Sequence, residues 1–422
     1  MRFHGLLGTI IVCICTLVLT SCANNRNIFN SQVRPDLTRE SWMRQMNVST
    51  SHWLNHVDGW FYNGSPDLAE RYDNRASYDQ AITSSEIRVP NFTNIQVDGP
   101  YNVQMVGGLS HNRVYLYGPS LVVRQTVVEI RGNSIFIHPT KDANVPMLSK
   151  LVIRIAVGNL QNLYFNGGGN IEGKNIMSNS LNIYNNNCGH LTLAGNMNVR
   201  YIKQGGPGST TIIGAYTPSL SIKAYQGIIN LTGRVGVRSI DNQNGLVNIV
   251  GADTDNLTIL ACNGSKTSIS GYANLKNLTA MGKSQVYLYW VNSNGAYINV
   301  YDWAHVGLAG CATNLNIQVS NKARFDGQYL HGDTVYVSTR GWSHANVFAT
   351  QKLFASALED SSIYFFGSPN VVYRYSTKNG VVLPVWGEAC PVMALPPPVH
   401  ATWKDSRASY KDDMSYSTSG KF

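Results

Sequence analysis

The chain has 422 residues, of which 43% are hydrophobic and only 14% are charged, and its formal net charge at pH 7 is +9. Globular proteins usually carry about 25% charged residues, so uncharged polar side chains must cover much of this surface. The positive excess is mild and includes no run of like charges. It is compatible with acidic glycans as partners. Because the N-terminus has the features of an export signal, we expect no nucleic-acid partner.

The N-terminus has the features of an export signal. Arg2 precedes an apolar run from Leu6 to Leu19 that is too short to span a bilayer by itself. The following Leu-Thr-Ser-Cys sequence, which ends at Cys22, resembles a bacterial lipobox. This resemblance implies that residues 1–21 are a lipoprotein signal peptide and that Cys22 carries the lipid. The alternative is an uncleaved anchor with an incidental cysteine.

The residue after the lipobox cysteine is Ala23 rather than Asp. By resemblance to enterobacterial sorting signals, this implies an outer-membrane lipoprotein, on the periplasmic face or at the cell surface.

Two segments separate the signal from the first strands. Residues 22–34 are polar and without periodicity, which predicts a flexible tether. Residues 35–86 are rich in aromatic side chains and carry short helical patterns, which predicts a small N-terminal module. His52 and His56 have a spacing that can hold zinc, but no third ligand is evident, so we expect no metal and no cofactor.

A repeated unit dominates the chain from about Val157 to Tyr375. Each unit contains short apolar alternations, a turn and a glycine, and successive repeat glycines from Gly195 to Gly271 stand 18–20 residues apart. A fixed period with alternating apolar residues is typical of a β-solenoid, in which stacked coils share one core. The chain is therefore predicted to be all-β, with about ten coils.

The segment that opens the repeats begins Val-Pro-Asn-Phe-Thr-Asn-Ile at Val89 and continues through strand patterns to Ile137. Together with the glycine-punctuated repeats, it resembles the head GIN domain family of autotransporter adhesins over about residues 87–382. This resemblance implies a β-hairpin opening, a right-handed parallel β-helix and a role in adhesion. The family offers no catalytic residues.

The C-terminal coils lose glycines and gain aromatic residues. The position of Gly271 is taken by Trp290 in the next coil, and Ala304 is predicted to replace the turn glycine Gly282. The candidate binding surface consists of three nearby aromatic residues, which are Tyr301, Trp303 and Trp342. Trp303 and Trp342 are expected about two coils apart near a turn, where they either project outward or cap the core.

A polysaccharide-active β-helix enzyme is a third, less favoured interpretation of the repeats. Asp302 and Glu359 share a phase but are expected about 14 Å apart, which is too far for the carboxylate pair of a retaining glycosidase. No other catalytic constellation is evident, so we predict a protein that is not an enzyme. Cys188 and Cys262 are expected to be small buried residues about four coils apart, too distant for a disulfide.

Residues 383–422 contain Pro384, Pro391 and a run of three prolines, which predicts an extended strap followed by a disordered tail. The sequence as a whole predicts a non-enzymatic outer-membrane lipoprotein whose rigid β-helix binds or adheres at the cell envelope. Its partner is either a glycan or an envelope protein complex. The alternative is a structural subunit of an envelope assembly such as a secretion system.

Overall fold

A computed structural model of the protein describes residues 82–108 and 112–385. The described part is nearly all β, with two short helices, α1 (Ser120–Arg124) and α2 (Val145–Leu148). The strands of the opening region are β1 (Ile82–Arg88), β2 (Asn94–Asp98), β3 (Asn102–Gly107), β4 (Arg113–Pro119), β5 (Thr126–Arg131), β6 (Ser134–Pro139), β7 (Val152–Val157) and β8 (Asn162–Gly167).

The following strands form the regular coils. They are β9 (Asn170–Asn187), β10 (His190–Gln204), β11 (Ser209–Ala224), β12 (Ile228–Asn242), β13 (Leu246–Ala261), β14 (Lys266–Ala280), β15 (Gln285–Ser293), β16 (Ala296–Val300), β17 (His305–Ser320), β18 (Arg324–Arg340), β19 (His344–Leu358), β20 (Ser362–Phe366), β21 (Val371–Thr377) and β22 (Val381–Pro384).

The regular strands stack in parallel, each on the one that precedes it by one coil. The fold is therefore a parallel β-helix, as the sequence predicts. It has about 12 turns rather than about ten.

The opening of the solenoid is not a simple sequence of stacked coils. Strand β2 lies between β6 and β8, and β3 lies between β7 and β9, all in parallel register. The first coil of the chain is thus inserted between two coils formed by later residues. Antiparallel pairs occur only at this end of the described solenoid, between β1 and β4, β4 and β7, and β5 and β6.

The core consists of aliphatic side chains that stack in columns, one residue per coil. One column runs from Ile183 through Ile202 and Ile222 to Ile240 and Ile259, in strict register and with each side chain buried. Each such side chain contributes roughly 1.5–3 kcal/mol by leaving water. A single coil could not bury its own apolar face, so stacking and folding are one process.

The backbone of several coils requires glycine at the repeat position. Gly195 and Gly233 adopt φ values of 149° and 137°, which L side chains rarely tolerate. Each also lies against the backbone of the coil below, because a Cβ atom at Gly195 would be 2.2 Å from the carbonyl oxygen of Ile176. Trp290 replaces this glycine in one coil and also has a positive φ, of 66°.

Buried amides stabilise the turns from inside. Asn242 is fully buried, donates from Nδ2 to the Oγ1 of Thr267 at 3.0 Å, and accepts from the N–H of Gly245 at 2.9 Å. Asn185 makes the equivalent bond to Thr210 at 2.9 Å. These amides form hydrogen bonds with buried polar groups in and beside the turns, which would otherwise lack a partner.

The last described coil closes the core with polar residues. The positions that face the core along β21 are Val372, Arg374 and Ser376, since they pair with buried residues of β19. The Arg374 guanidinium carbon lies 4.9 Å from the centre of the Phe365 ring. The apolar column thus ends under the charged side chain of Arg374, which is exposed to solvent. In the part of the chain that the structure describes, no helix has the length and apolar content needed to cross a membrane.

Candidate functional site

A column of left-handed residues marks one turn of each C-terminal coil. In register, the column passes through Gly282, Asp302, Asn321, Gly341 and Glu359, whose φ values lie between 59° and 69°. Glycine, asparagine and aspartate enter this conformation more readily than other residues, which explains their frequency here. The register also corrects one prediction: the counterpart of Gly282 is Asp302, not Ala304, because Ala304 aligns with the buried Ser284.

The residues that directly follow the left-handed position in three coils form the candidate binding surface. Trp303, Lys322 and Trp342 follow the left-handed position in three successive coils, and we call them the Trp–Lys–Trp column. The two indoles are 61% and 71% exposed. Since neighbouring coils are about 4.8 Å apart, the rings lie about 10 Å from one another along the solenoid.

The middle residue of the column is a cation that contacts one of the rings. The Lys322 Nζ lies 4.7 Å from the centre of the Trp303 ring, within the range of a cation–π interaction. Lys322 and Trp342 are themselves left-handed, with φ values of 70° and 54°. For such side chains this conformation costs on the order of 1–3 kcal/mol, and it is found preferentially at binding and active sites.

The column borders a shallow open depression with a volume of about 330 Å³. Its lining consists of the left-handed and following residues of three coils, namely Asp302, Trp303, Asn321, Lys322, Gly341 and Trp342. Tyr301 does not belong to this lining. It is half-buried just before the turn, where its backbone N–H donates to the carbonyl of Ala280 at 2.9 Å.

A second column lies two residues further along the chain, at the start of the following strands. It consists of His305, Arg324 and His344 in register. Beneath it Asp326 is 2% exposed, accepts a hydrogen bond from Asn346 Nδ2 at 3.2 Å and lies 3.7 Å from the Arg324 guanidinium. The strands therefore place a column of two histidines and one arginine beside the Trp–Lys–Trp column.

The two histidines of this second column are held in hydrogen bonds. His344 shares its Nδ1 with the hydroxyl of Ser362 at 2.8 Å and its Nε2 with the amide oxygen of Asn346 at 3.0 Å. His305 Nδ1 lies 3.4 Å from the Tyr287 hydroxyl. The Nε2 of His305 is buried without a hydrogen-bond partner.

Burial lowers the pKa of both imidazoles, and the neighbouring Arg324 guanidinium lowers the pKa further. Asp326 opposes this shift at both rings, and at His344 the hydrogen bond that Nε2 donates to Asn346 Oδ1 also opposes it. Both rings are consequently neutral near pH 7. The fixed positive charges of the surface are then those of Lys322 and Arg324.

The acidic residues near the turn have structural partners. Asp302 accepts a hydrogen bond from the N–H of Gly282 at 3.3 Å, and Glu359 accepts one from Arg340 Nε at 3.0 Å. The register places Asp302 and Glu359 three coils apart in one column, or roughly 14 Å. This spacing does not match the carboxylate pair of a retaining glycosidase.

The cysteines do not form a site. Among the described residues Cys188, Cys262 and Cys311 all have free thiols. The expectation of buried cysteines is wrong, because Cys188 lies exposed in a turn and the other two are only partly buried. Burial raises the pKa of Cys262 and of Cys311, which keeps those thiols protonated. Cys22 and Cys390 lie outside the described residues.

Within residues 82–108 and 112–385, no group of three or more histidine, cysteine or acidic side chains is placed to hold a metal ion. The His52 and His56 pair lies outside these residues, as do the signal, the tether and most of the N-terminal module. The chemistry available at the turn is therefore stacking on indole faces, hydrogen bonding and attraction to anionic groups.

Three aromatic rings on β18, β19 and β21 stack on one another, and the sequence did not predict this stack. The rings of Tyr336 and Phe354 lie 4.7 Å apart and nearly parallel, and those of Phe354 and Tyr373 lie 5.1 Å apart. We call these three residues the terminal aromatic ladder. The signal in the sequence is the recurrence of an aromatic residue at one outward position in successive coils, at spacings of 18 and 19 residues.

Comparison with known proteins gives a family and no curated relative. The family described as "Putative auto-transporter adhesin, head GIN domain" matches residues 91–270 and 201–369, which is more than half of the chain. A search of curated proteins found no significant match.

Several solved structures are also similar to this chain. They include a "putative adhesin" of Bacteroides fragilis (16% identity, 72% of this chain and 97% of that one, TM-score 0.21) and one of Parabacteroides distasonis (16%, 73% and 98%, TM-score 0.24). A "putative lipid binding protein" of Parabacteroides distasonis matches at 12% identity over 72% and 97% of the two chains, with a TM-score of 0.21. These TM-scores are too low for the likenesses to carry an argument. The extent of the family match is sufficient by itself, and this chain belongs to the head GIN domain family.

Proposed function

We propose that this protein is a non-enzymatic adhesion protein of the bacterial envelope that binds carbohydrate through the Trp–Lys–Trp column. The observation that carries the proposal is the exposure of Trp303 and Trp342 on one turn, in register and with a cation between them. Membership of a family named for adhesins supports a binding role.

The arrangement of the column fits a sugar chain. An indole face stacks well on the apolar C–H face of a pyranose ring, and two such faces about 10 Å apart can engage alternate sugars of one chain. Lys322 and Arg324 would then bind hydroxyl or carboxylate groups between and beside the rings. A rigid β-helix presents these groups without a large ordering cost.

We further propose that a lipid on Cys22 holds the protein at the outer membrane. The lipobox-like sequence before Cys22 supports this part of the proposal, which concerns residues outside the described structure. A diacylglycerol and an additional acyl chain, at about 0.8 kcal/mol for each buried CH₂ group, are sufficient to retain a soluble body on a membrane.

Binding of the full mature chain to an array of neutral and acidic oligosaccharides tests the proposal. For the glycans that bind, Trp303→Ala and Trp342→Ala are each expected to lower affinity roughly tenfold. The matched control is Tyr225→Ala, since Tyr225 is an exposed aromatic residue with Lys203 Nζ 5.8 Å from its ring centre. Equal binding by all variants, or no binding by the wild type, would refute carbohydrate recognition by the column.

A structural role in an envelope assembly is the second candidate. The terminal aromatic ladder favours it, because Tyr336 and Tyr373 are 47% and 62% exposed and monomeric proteins rarely expose contiguous apolar patches without a partner. Affinity purification of the lipidated protein from detergent-solubilised membranes discriminates between the two candidates. A stoichiometric protein complex supports the assembly role, and a protein recovered alone supports adhesion.

A further inference from the structure

The column of exposed side chains at the candidate site continues one coil further towards the N-terminus. Gln285 pairs with His305, so Lys283 occupies in the preceding coil the position that Trp303 has in its own. The side chain of Lys283 is exposed. We call Lys283 together with the Trp–Lys–Trp column the four-residue column.

Cations and aromatic rings alternate along the four-residue column. From the N-terminal side the order is Lys283, Trp303, Lys322 and Trp342, with one residue in each coil. Two coil steps, about 10 Å, therefore separate the two lysines, and the same distance separates the two indoles. The Lys322 Nζ lies 4.7 Å from the centre of the Trp303 ring, so a ring and a charge are within reach of adjacent groups of one ligand.

The neighbouring column strengthens the charge of one coil. It places Gln285, His305, Arg324 and His344 in register beside the four-residue column. The Arg324 side chain is 48% exposed, and both imidazoles are neutral near pH 7. Arg324 therefore adds a second positive charge to the coil that lies between the two indoles.

Two acidic residues border the four-residue column. Asp302 accepts a hydrogen bond from the N–H of Gly282 at 3.3 Å, which directs this carboxylate towards the backbone of the preceding turn. Asp360 follows Trp342 in the column and accepts a hydrogen bond from Asn379 Nδ2 at 2.7 Å. The alternation of cations and rings ends at the negative charge of Asp360, so the array has a defined C-terminal limit.

We propose, on the basis of carbohydrate binding by the Trp–Lys–Trp column, that the preferred ligand is a linear glycan in which acidic and neutral sugars alternate. A disaccharide of an extended chain is about as long as two coil steps, about 10 Å, so its period matches that of the four-residue column. Neutral sugars stack on Trp303 and Trp342, and the carboxylates of the acidic sugars face Lys283 and Lys322. A chain of uronic acid alternating with an N-acetylated amino sugar has this chemistry.

Glycans with a uniform charge pattern fit the four-residue column less well. A neutral chain leaves both lysines without an anionic partner in the ligand. A chain with a carboxylate on every sugar places negative charge against the indole faces, whose electrostatic potential is itself negative. The column therefore discriminates by the pattern of charge along the glycan as well as by its amount.

Titration calorimetry with the full mature chain compares three hexasaccharide probes. The first alternates glucuronic acid and N-acetylglucosamine, the second is the same chain with its carboxylates reduced to alcohols, and the third consists of galacturonic acid alone. We expect the wild type to bind the alternating probe at least about tenfold more tightly than the reduced one, and more tightly than the galacturonic acid probe. A higher salt concentration should diminish the preference over the reduced probe.

Lys283→Gln and Lys322→Gln should each weaken binding of the alternating probe roughly fivefold and leave binding of the reduced probe unchanged. The matched control is Lys203→Gln, since the Lys203 Nζ also lies beside an aromatic ring, 5.8 Å from the centre of Tyr225, but in another column. This control should change neither affinity. Lys322→Asn serves if Lys322→Gln folds poorly, because asparagine adopts the left-handed conformation of this position more readily.

Equal affinity for the alternating and reduced probes overturns the proposed preference, as do an equal loss in Lys203→Gln or tighter binding of the galacturonic acid probe. If the reduced probe still loses affinity in Trp303→Ala, carbohydrate binding by the column stands and only the charge pattern is wrong. Failure of all three probes to bind also overturns the preference, and the wider oligosaccharide array then decides whether the column binds carbohydrate at all.

Discussion

Gly233 lies directly against Ala215 of the coil below, so closely that a Cβ atom at Gly233 would be 2.2 Å from the carbonyl oxygen of Ala215. The glycine also has a φ of 137°. Both facts forbid a side chain, and both recur at Gly195, Gly271 and Gly310. The recurrence of glycine in the sequence therefore reflects the close backbone contact between neighbouring coils.

Gly233→Ala should destabilise the protein by at least about 3 kcal/mol, because it adds strain at φ and forces two strands apart. Urea unfolding followed by circular dichroism measures the loss. Gly264→Ala is the control, since its φ is ordinary and the nearest atom to an added Cβ is the Asn244 Oδ1 at 3.3 Å. Its effect should stay within about 1 kcal/mol, and equal losses at both sites would contradict the packing argument.

Leu231→Asp and Ile249→Asp should each cost roughly 3–5 kcal/mol, because both side chains are 1% exposed and an unpaired charge would be buried between coils. Since a coil contacts only its neighbours, we expect local unfolding that hydrogen exchange detects in the flanking strands. Ile228→Asp, at a position that is 38% exposed, should change stability by only about 0.5 kcal/mol. A comparable loss there would show that hydrophobicity alone, without burial, sets the cost.

Trp303→Ala and Trp342→Ala should leave the melting temperature nearly unchanged, because both rings are largely exposed. Leu231→Ala removes a buried side chain and should cost about 2–5 kcal/mol. Thermal melts of the three variants provide the comparison. If the tryptophan variants lose as much stability as Leu231→Ala, the rings support the core and the carbohydrate-binding role of the column must be abandoned.

Stability should fall as the pH decreases below about 6.5. Burial, with a smaller contribution from Arg324, lowers the pKa of His305 and His344 below the ordinary value of 6.5. The unfolded chain then takes up protons before the folded one, so the stability present above pH 6.5 is lost as the pH falls through the lowered pKa. In the double variant His305→Gln with His344→Gln, the melting temperature should change less between pH 7.5 and 5.5 than it does in the wild type. The substitution His190→Gln, at an exposed position, should leave the pH dependence as it is in the wild type.

Cys22→Ser should abolish labelling with palmitate and release the protein from the membrane, or leave the signal uncleaved. The reason is that only the lipid, and no surface of the β-helix, is expected to hold the chain at the bilayer. Membrane fractionation and metabolic labelling measure both effects. Continued labelling of the variant would place the acyl chain on another residue.

Periodicity predicts this fold because the constraints repeat. The stacked aliphatic column through Ile202 and Ile222 and the repeat glycines recur at a nearly constant spacing, which is visible in the sequence. The same periodicity places Trp303 and Trp342 two coils apart near one turn. Pairs of this kind are predictable because a residue's position in the unit determines its column.

Other features escape the pattern for physical reasons. Asp302 and Asn321 take up the left-handed conformation of Gly282 without being glycine, which obscured the turn register. Cys188 is exposed because its position belongs to a turn, and small size alone does not determine burial. The inserted coil of β2 and β3 depends on contacts between distant segments, which a repeat pattern does not encode.

The left-handed turn position gives this solenoid an evolvable display surface. The backbone conformation there persists whether the residue is Gly282, Asn321 or Glu359, so the following side chain is presented at a fixed place whatever its identity. A substitution at that site can change ligand preference in a single step without altering the scaffold. Gain or loss of a whole coil would add or remove one displayed side chain. Proteins descended from one ancestral solenoid could therefore diverge in specificity while their fold stays the same.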